Sequence, residues 1–114
     1  MSTLSTHVLD TSAGTPAANV PVKLEKKIEM GVWKMVGEFK TNSDGRIQDF
    51  SARNKQIATG VYRLTFDTST YFATKQTNGF YPYVSIVFEI SQENQHYHVP
   101  LLLSGWGYST YRGS

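Results

Sequence analysis

The sequence predicts an all-β domain, an antiparallel β-sandwich that carries one short helix. Apolar and polar residues alternate with a period of two along most of the chain, and helical periodicity is nearly absent. The alternating segments are short and are separated by turn-forming residues, which is typical of sandwiches. With 114 residues, 39% of them hydrophobic, the chain is long enough to form its own core. We therefore expect residues 1–114 to form a single domain.

The predicted strands present apolar side chains on one face, because successive side chains of a strand point to opposite sides. In the segment 20–25 the even positions are apolar, and in the next segment Trp33, Met35 and Phe39 are expected to share one face. Three further segments carry apolar positions at Tyr62, Leu64 and Phe66, at Val84, Ile86, Phe88 and Ile90, and at Tyr97, Val99, Leu101 and Leu103. Strands that are apolar on one face only favour antiparallel sheets around a common core.

Turns and one helix are predicted between these strands. The Asp44-Gly45 pair favours a hairpin turn, and the Gly-Thr-Pro sequence at residues 14–16 closes the first strand. Residues 67–75 begin with Asp67 and contain several Ser and Thr residues, which are good helix N-caps. This segment is the predicted helix.

Charge and composition exclude several classes of function. Lys and Arg number 11 against 9 Asp and Glu, a net charge of +2, and the only adjacent like-charged pair is Lys26-Lys27. Without a basic stripe to follow a phosphate backbone, nucleic acid is not an expected partner. The chain has no cysteine, which excludes disulfides and thiolate chemistry. The apolar stretch 99–103 is far shorter than the roughly 20 residues of a membrane span, so no membrane association is expected.

The N-terminus predicts the cellular compartment. Residues 1–7 show neither a basic start nor an apolar run, so no secretion signal is predicted. We expect a cytoplasmic location, or a periplasmic one if a leader has been removed.

Three histidines are the main candidates for chemistry. His96 and His98 are two positions apart, so on a strand both imidazoles point the same way, opposite to Leu101 and Leu103. This spacing suits two ligands of a zinc site, but it also suits an exposed polar face. Because no third ligand stands at a suitable spacing, we predict a role without metal or other cofactor. The remaining histidine, His7, taken alone is typical of a surface or capping residue.

Arg46 directly follows the Asp44-Gly45 turn. A rigid turn could hold its guanidinium in place, although a solvated arginine has the same sequence pattern. The sequence contains no nucleophile elbow, phosphate loop or dinucleotide fingerprint. An enzyme built from this chain would therefore depend on histidine and arginine, which suit water activation and anion stabilisation.

The C-terminal residues 107–114 are the last candidate segment. They contain two Tyr, one Arg and the terminal carboxylate. A frayed tail is the usual state of a terminus, but this composition favours a functional one.

Four motifs resemble a known family. The C-terminal sequence Tyr-Arg-Gly-Ser at 111–114, the stretch 96–104, the opening 4–10 and the internal motif 41–46 are similar to those of the transthyretin-related 5-hydroxyisourate hydrolases. The C-terminal tetrapeptide is the most specific of these, because hormone-carrying transthyretins end differently. One departure is Gly105, where many relatives carry proline, and it could loosen the turn before the last strand.

The resemblance implies a fold and an assembly. The family fold is a prealbumin-like sandwich of two four-stranded sheets with one short helix. The family assembles as a homotetramer, a dimer of dimers pierced by a channel, with the active sites at the dimer–dimer interface. The implied catalytic residues are His7, Arg46, His98, Tyr111 and Ser114, of which His7, Arg46 and Tyr111 also bind substrate.

The resemblance also implies a reaction. The small-molecule substrate is 5-hydroxyisourate, an unstable product of urate oxidation, and hydrolysis of a ring amide gives 2-oxo-4-hydroxy-4-carboxy-5-ureidoimidazoline. The competing interpretation is a small-molecule carrier, because the same fold in transthyretin binds a hormone. A third interpretation, an adhesive sandwich domain, predicts none of the four motifs.

Overall fold

Ten strands and one helix make up the described part of the chain. The computed structural model describes residues 2–50 and 57–114. The elements are β1 (Thr3–Asp10), β2 (Thr15–Pro16), β3 (Pro21–Glu29), β4 (Val32–Lys40), β5 (Arg46–Ile47), β6 (Gly60–Phe66), α1 (Thr68–Thr74), β7 (Val84–Ile90), β8 (His96–His98), β9 (Leu101–Leu103) and β10 (Tyr108–Thr110).

The strands form two sheets. The first has the order β10-β9-β1-β2, and β5 and β8 also pair with β1. Its pairings are antiparallel except that β1 runs parallel to β8 and β9. The second sheet is antiparallel throughout, with the order β4-β3-β6-β7. The predicted β-sandwich with one short helix is confirmed.

The core lies between the sheets and is built from alternate residues of their strands. In β1, Leu4 and Val8 are fully buried, and in β6 the same holds for Leu64 and Phe66. Because the period is two, the residues that alternate with these positions point to the opposite faces of their sheets. The outward face of the first sheet is thereby free to carry polar groups.

The first sheet contains more strands than the four that were expected, and most of them are short. Apolar positions 97, 99, 101 and 103 are buried as expected, but this stretch divides into β8 and β9 at Pro100. Proline has no N–H to donate to a neighbouring strand, so it interrupts the pairing. Together with the two-residue strands β2 and β5, this interruption gives the sheet six strands, of which β1 alone is longer than three residues.

The expected common face of Trp33, Met35 and Phe39 is wrong. The pairing register of β3 and β4 shifts after Leu24, so that one residue of β4, Val36, is left without a partner. Such a β-bulge reverses which face the following positions occupy. Val36 and Phe39 pack against the core, whereas Met35 is 44% exposed.

Helix α1 occupies the predicted segment. Asp67 is its N-cap, and the carboxylate accepts a hydrogen bond from the backbone N–H of Thr70 at 3.1 Å. The hydroxyl of Tyr71 donates to Asp10 Oδ2 at 2.7 Å, which fastens the helix to the end of β1. Within the described ranges, no helix has the length and apolar character needed to cross a membrane.

Candidate active site

The candidate site begins on the outward face of β1. Leu4 and Val8 point into the core, so the alternation turns Thr3, Ser5 and His7 away from it. Ser5 is nevertheless only 8% exposed, because histidine side chains of the neighbouring strand β8 cover it.

Strand pairing brings three of the predicted site residues to this face. His7 is the Cα partner of Arg46 in the antiparallel β1–β5 pair. Ser5 is the partner of His98 in the parallel β1–β8 pair. Arg46 and His98 therefore flank β1 from opposite sides, with His7 between them in the sheet. His7, Arg46 and His98 thus lie on one outward face of a single chain.

The turn before Arg46 is fixed by its own hydrogen bonds. Asn42 Oδ1 accepts from the backbone N–H groups of Asp44 and Arg46, at 2.9 and 3.0 Å. Gly45 has a φ of +73°, and a Cβ there would lie 2.4 Å from the carbonyl oxygen of Val8. Only glycine fits such a close approach without strain. The turn joins strands of different sheets, β4 and β5, and so differs from the predicted hairpin.

His98 lies in an electropositive, half-buried environment. Its Nδ1 is 2.7 Å from Ser5 Oγ, and its ring stacks on that of His96 with the centroids 6.5 Å apart. Burial lowers the pKa of His98 below its usual value of 6.5, and the nearby charges of Arg46, His96 and His7 lower it further. The imidazole is therefore neutral at pH 7 and able to accept a proton.

The C-terminal tail is fastened to β8. The backbone N–H of Gly113 donates to the carbonyl oxygen of His98 at 2.8 Å. The guanidinium of Arg112 lies 4.5 Å from the ring centroid of Tyr97 and donates to Gln95 Oε1 at 3.2 Å. These contacts hold residues 112 and 113 against β8. Ser114 follows the Gly113 bridge directly.

Tyr111 does not contact this cluster within the chain. Its side chain is 57% exposed and lines a cavity of about 320 Å³ together with residues of β7, among them Val87 and Glu89. Among the described residues, no hydrogen bond or ring contact links Tyr111 to His7, Arg46 or His98.

The arrangement of the two β8 histidines bears on the zinc-site interpretation. Both rings point to the same face, as expected, and lie nearly parallel, at 17° to each other. Within residues 2–50 and 57–114, no three His, Cys, Asp or Glu side chains are grouped so as to hold a metal ion.

Sequence reasoning missed Ser5 and Thr3. Ser5 contacts both β8 histidines, and Thr3 Oγ1 is 2.6 Å from Nδ1 of His96. The period-two alternation counted backward from His7 would have placed both hydroxyls on its face. The alternation could not predict which histidines contact these hydroxyls, because β1 and β8 are about 90 residues apart in the chain.

Comparison with known proteins places this geometry in a family. The sequence model of the HIUase/Transthyretin family matches residues 4–113. A 5-hydroxyisourate hydrolase of Salmonella typhimurium is 48% identical over 111 residues, which are 97% of this chain and 80% of that protein. The solved structure of Klebsiella pneumoniae 5-hydroxyisourate hydrolase has a TM-score of 0.86 at 40% identity and covers 100% of both chains.

A transthyretin is also similar in structure. Sea bream transthyretin, solved in complex with thyroxine, has a TM-score of 0.88 at 32% identity and covers 96% of this chain and 93% of its own. The family match over nearly the full length, the identity to these relatives and the shared architecture agree with one another. The chain belongs to the HIUase/Transthyretin family.

Proposed function

We propose that this protein hydrolyses 5-hydroxyisourate, as the names of its Salmonella and Klebsiella relatives state for those proteins. The observation that carries the proposal is the grouping of His7, Arg46 and His98 on one outward face of the first sheet. A neutral imidazole can accept a proton from water, and a guanidinium can bind a developing anion. These are the groups that hydrolysis of a ring amide requires.

The proposed mechanism divides the work among these residues. His7 and His98 together activate the water molecule, which attacks the carbonyl carbon of the ring amide. The ring C–N bond then breaks, and the leaving nitrogen receives the proton. Arg46, always charged and forked, binds the polar ring edge and the oxygen that gains charge. General acid–base help of this kind contributes about 10²–10⁴-fold to the rate, and the proposal assigns no metal or cofactor to it.

A direct assay tests the function. Urate oxidase generates 5-hydroxyisourate from urate in situ, and its decay is followed by absorbance with and without the purified protein. We expect the protein to accelerate the decay, and to do so equally after dialysis against a chelator. An unchanged decay would contradict the hydrolase, and a loss of rate restored by zinc would contradict the metal-free mechanism.

The carrier interpretation has one structural observation in its favour, the likeness to a transthyretin that binds thyroxine. It predicts binding of a hormone-like small molecule without turnover. Thyroxine titrated into the protein, monitored by Trp fluorescence, separates the two functions when combined with the decay assay. We expect turnover of 5-hydroxyisourate.

When kcat/KM is plotted against pH, its fall on the acidic side should have a midpoint below pH 6.5, the usual pKa of histidine. The midpoint moves to lower pH because the lowered pKa of His98 keeps the imidazole neutral at pH values where an ordinary histidine is already protonated. Initial rates across roughly pH 5–8 measure the limb. A midpoint at or above 6.5 would contradict the assignment of His98 as a base.

We further propose that the working enzyme is a homotetramer with its sites between dimers, where Tyr111 and Ser114 complete the site. Two exposed features support this assembly. Both β7 and β10 are edge strands, whose unpaired backbone groups can pair with another chain. Val87 and Tyr111, both 57% exposed, provide apolar surface beside these edges.

Light scattering at low-micromolar concentration should report about four chains per particle, as the proposed assembly requires. The physical reason is that the edge strands and the exposed side chains beside them gain partners only in an oligomer. The matched measurement is the decay assay on the same fractions. A monomer with full activity would contradict a site shared between protomers.

A further inference from the structure

A row of four polar side chains forms an unbroken hydrogen-bonded chain on the outward face of the first sheet. Thr3 Oγ1 lies 2.6 Å from Nδ1 of His96, and Nε2 of His96 lies 2.9 Å from Ser5 Oγ. Ser5 Oγ in turn lies 2.7 Å from Nδ1 of His98. This row of hydrogen bonds leads from two exposed residues, Thr3 and His96, to the half-buried imidazole of His98.

The number of available protons limits the directions that the hydrogen bonds of this row can take. Each hydroxyl has one proton to donate, and each neutral imidazole has one N–H. If each of the three contacts is a hydrogen bond and the Ser5 hydroxyl donates to one of the two histidines, only two arrangements are consistent. In the first, His98 Nδ1–H donates to Ser5, the Ser5 hydroxyl donates to His96 Nε2, and His96 Nδ1–H donates to Thr3. In the second, every donor and acceptor is reversed.

The two arrangements give His98 different chemistry. In the first, the proton of the neutral ring is on Nδ1, so Nε2 has a free lone pair and can accept a proton from water. In the second, Nε2 carries the proton and cannot act as a base. Burial and the nearby positive charge of Arg46 act on the ring of His98. They favour its neutral form, for which the position of the single proton decides reactivity.

We propose that Ser5 is a positioning residue that, supported by His96, fixes the ring plane of His98 and holds its proton on Nδ1, leaving Nε2 as the basic nitrogen. The catalytic part of this role rests on the hydrolase function proposed above, whereas the tautomer does not. The atoms balance: a water O–H bond breaks as Nε2 gains the proton, and a C–O bond forms. The ring C–N bond then breaks as Nε2 returns that proton to the leaving nitrogen.

The tautomer is measured directly by NMR on the full-length protein labelled with ¹⁵N. The ring nitrogen shifts distinguish the two neutral forms, and the three histidines of the chain are assigned with single His→Asn variants. We expect His98 to carry its proton on Nδ1 at neutral pH in the wild type and in Ser5→Thr, which keeps the hydroxyl. In Ser5→Ala, where only the backbone of Ser5 still hydrogen-bonds to His98, a larger share of the proton should be on Nε2 than in the wild type.

Two further variants sharpen the test. Thr6→Ala removes a neighbouring hydroxyl of β1 that donates to the carbonyl oxygen of Val99, and it should leave the tautomer unchanged. His96→Phe, at an exposed position, removes the acceptor of the Ser5 proton and should also move the His98 proton to Nε2. This variant decides the matter if Ser5→Ala does not fold. A wild-type His98 protonated on Nε2, or an unaltered tautomer in both Ser5→Ala and His96→Phe, would overturn the proposal.

Kinetics give the second readout. Ser5→Ala should lower kcat by roughly tenfold or more with KM within about twofold, since the change affects proton transfer rather than binding. Ser5→Thr should restore most of kcat, and Thr6→Ala should retain it. A Ser5→Ala enzyme with wild-type kcat would overturn the positioning role. If the wild type itself shows no turnover, the hydrolase function fails while the NMR result is unaffected.

Discussion

Replacing His98 with asparagine should lower kcat/KM for 5-hydroxyisourate by about 10²-fold or more, the range expected for loss of a general acid–base group. Asparagine is similar in size but cannot accept a proton near neutral pH. The hydrogen bond from Gly113 to the backbone of residue 98 does not depend on the side chain, so the tail should stay in place. Initial rates from the decay assay measure the loss, and circular dichroism confirms the fold.

The matched control is His96→Asn, two positions away on the same strand and facing the same way. We expect a smaller loss, no greater than that of Ser5→Ala, because His96 reaches the reacting atoms only through Ser5. Equal losses in the two variants would mean that the histidines share a structural or metal-binding role. That result would remove His98 from the mechanism as a base.

Deleting residues 111–114 should abolish turnover while the β-type circular dichroism is retained. The deletion removes Tyr111 and Ser114, the bridge from Gly113 to His98, and the stacking of Arg112 on Tyr97. Residues 111–114 contribute no side chain to the core between the sheets, so the core should stay intact. The decay assay and far-UV circular dichroism measure the two parts of this expectation. Full activity in the deletion variant would remove the tail from the mechanism.

A single substitution tests the same tail more finely. A Cβ at Gly113 would lie 2.5 Å from Cδ2 of His98, so Gly113→Ala must displace either the tail or the imidazole. We expect a large loss of kcat with the fold retained. The matched control is Gly107→Ala, whose Cβ would meet only Ser104 Oγ at 3.9 Å, an ordinary contact. Comparable losses in both variants would point to general disturbance of the C-terminal segment.

Local features of the sequence were sufficient for much of the fold. The alternation of apolar residues placed the core positions of β6 and β7 correctly, because each side chain of a strand has only two faces to choose from. Asp67 marked the start of α1, since its carboxylate satisfies a backbone N–H that the helix leaves unpaired. The bulge in β4 was not predictable, because it arises from the pairing of β4 with β3 rather than from either strand alone.

The candidate site divides in the same way. The sequence by itself determined that His96 and His98 share a face, that Arg46 follows a tight turn, and, through its motifs, which family the chain resembles. Only the tertiary structure decided that Ser5 lies against both histidines and that His7 lies beside Arg46. The physical reason is that these contacts depend on the register between strands distant in the chain. That register is set by burying the opposite faces of the strands in a common core.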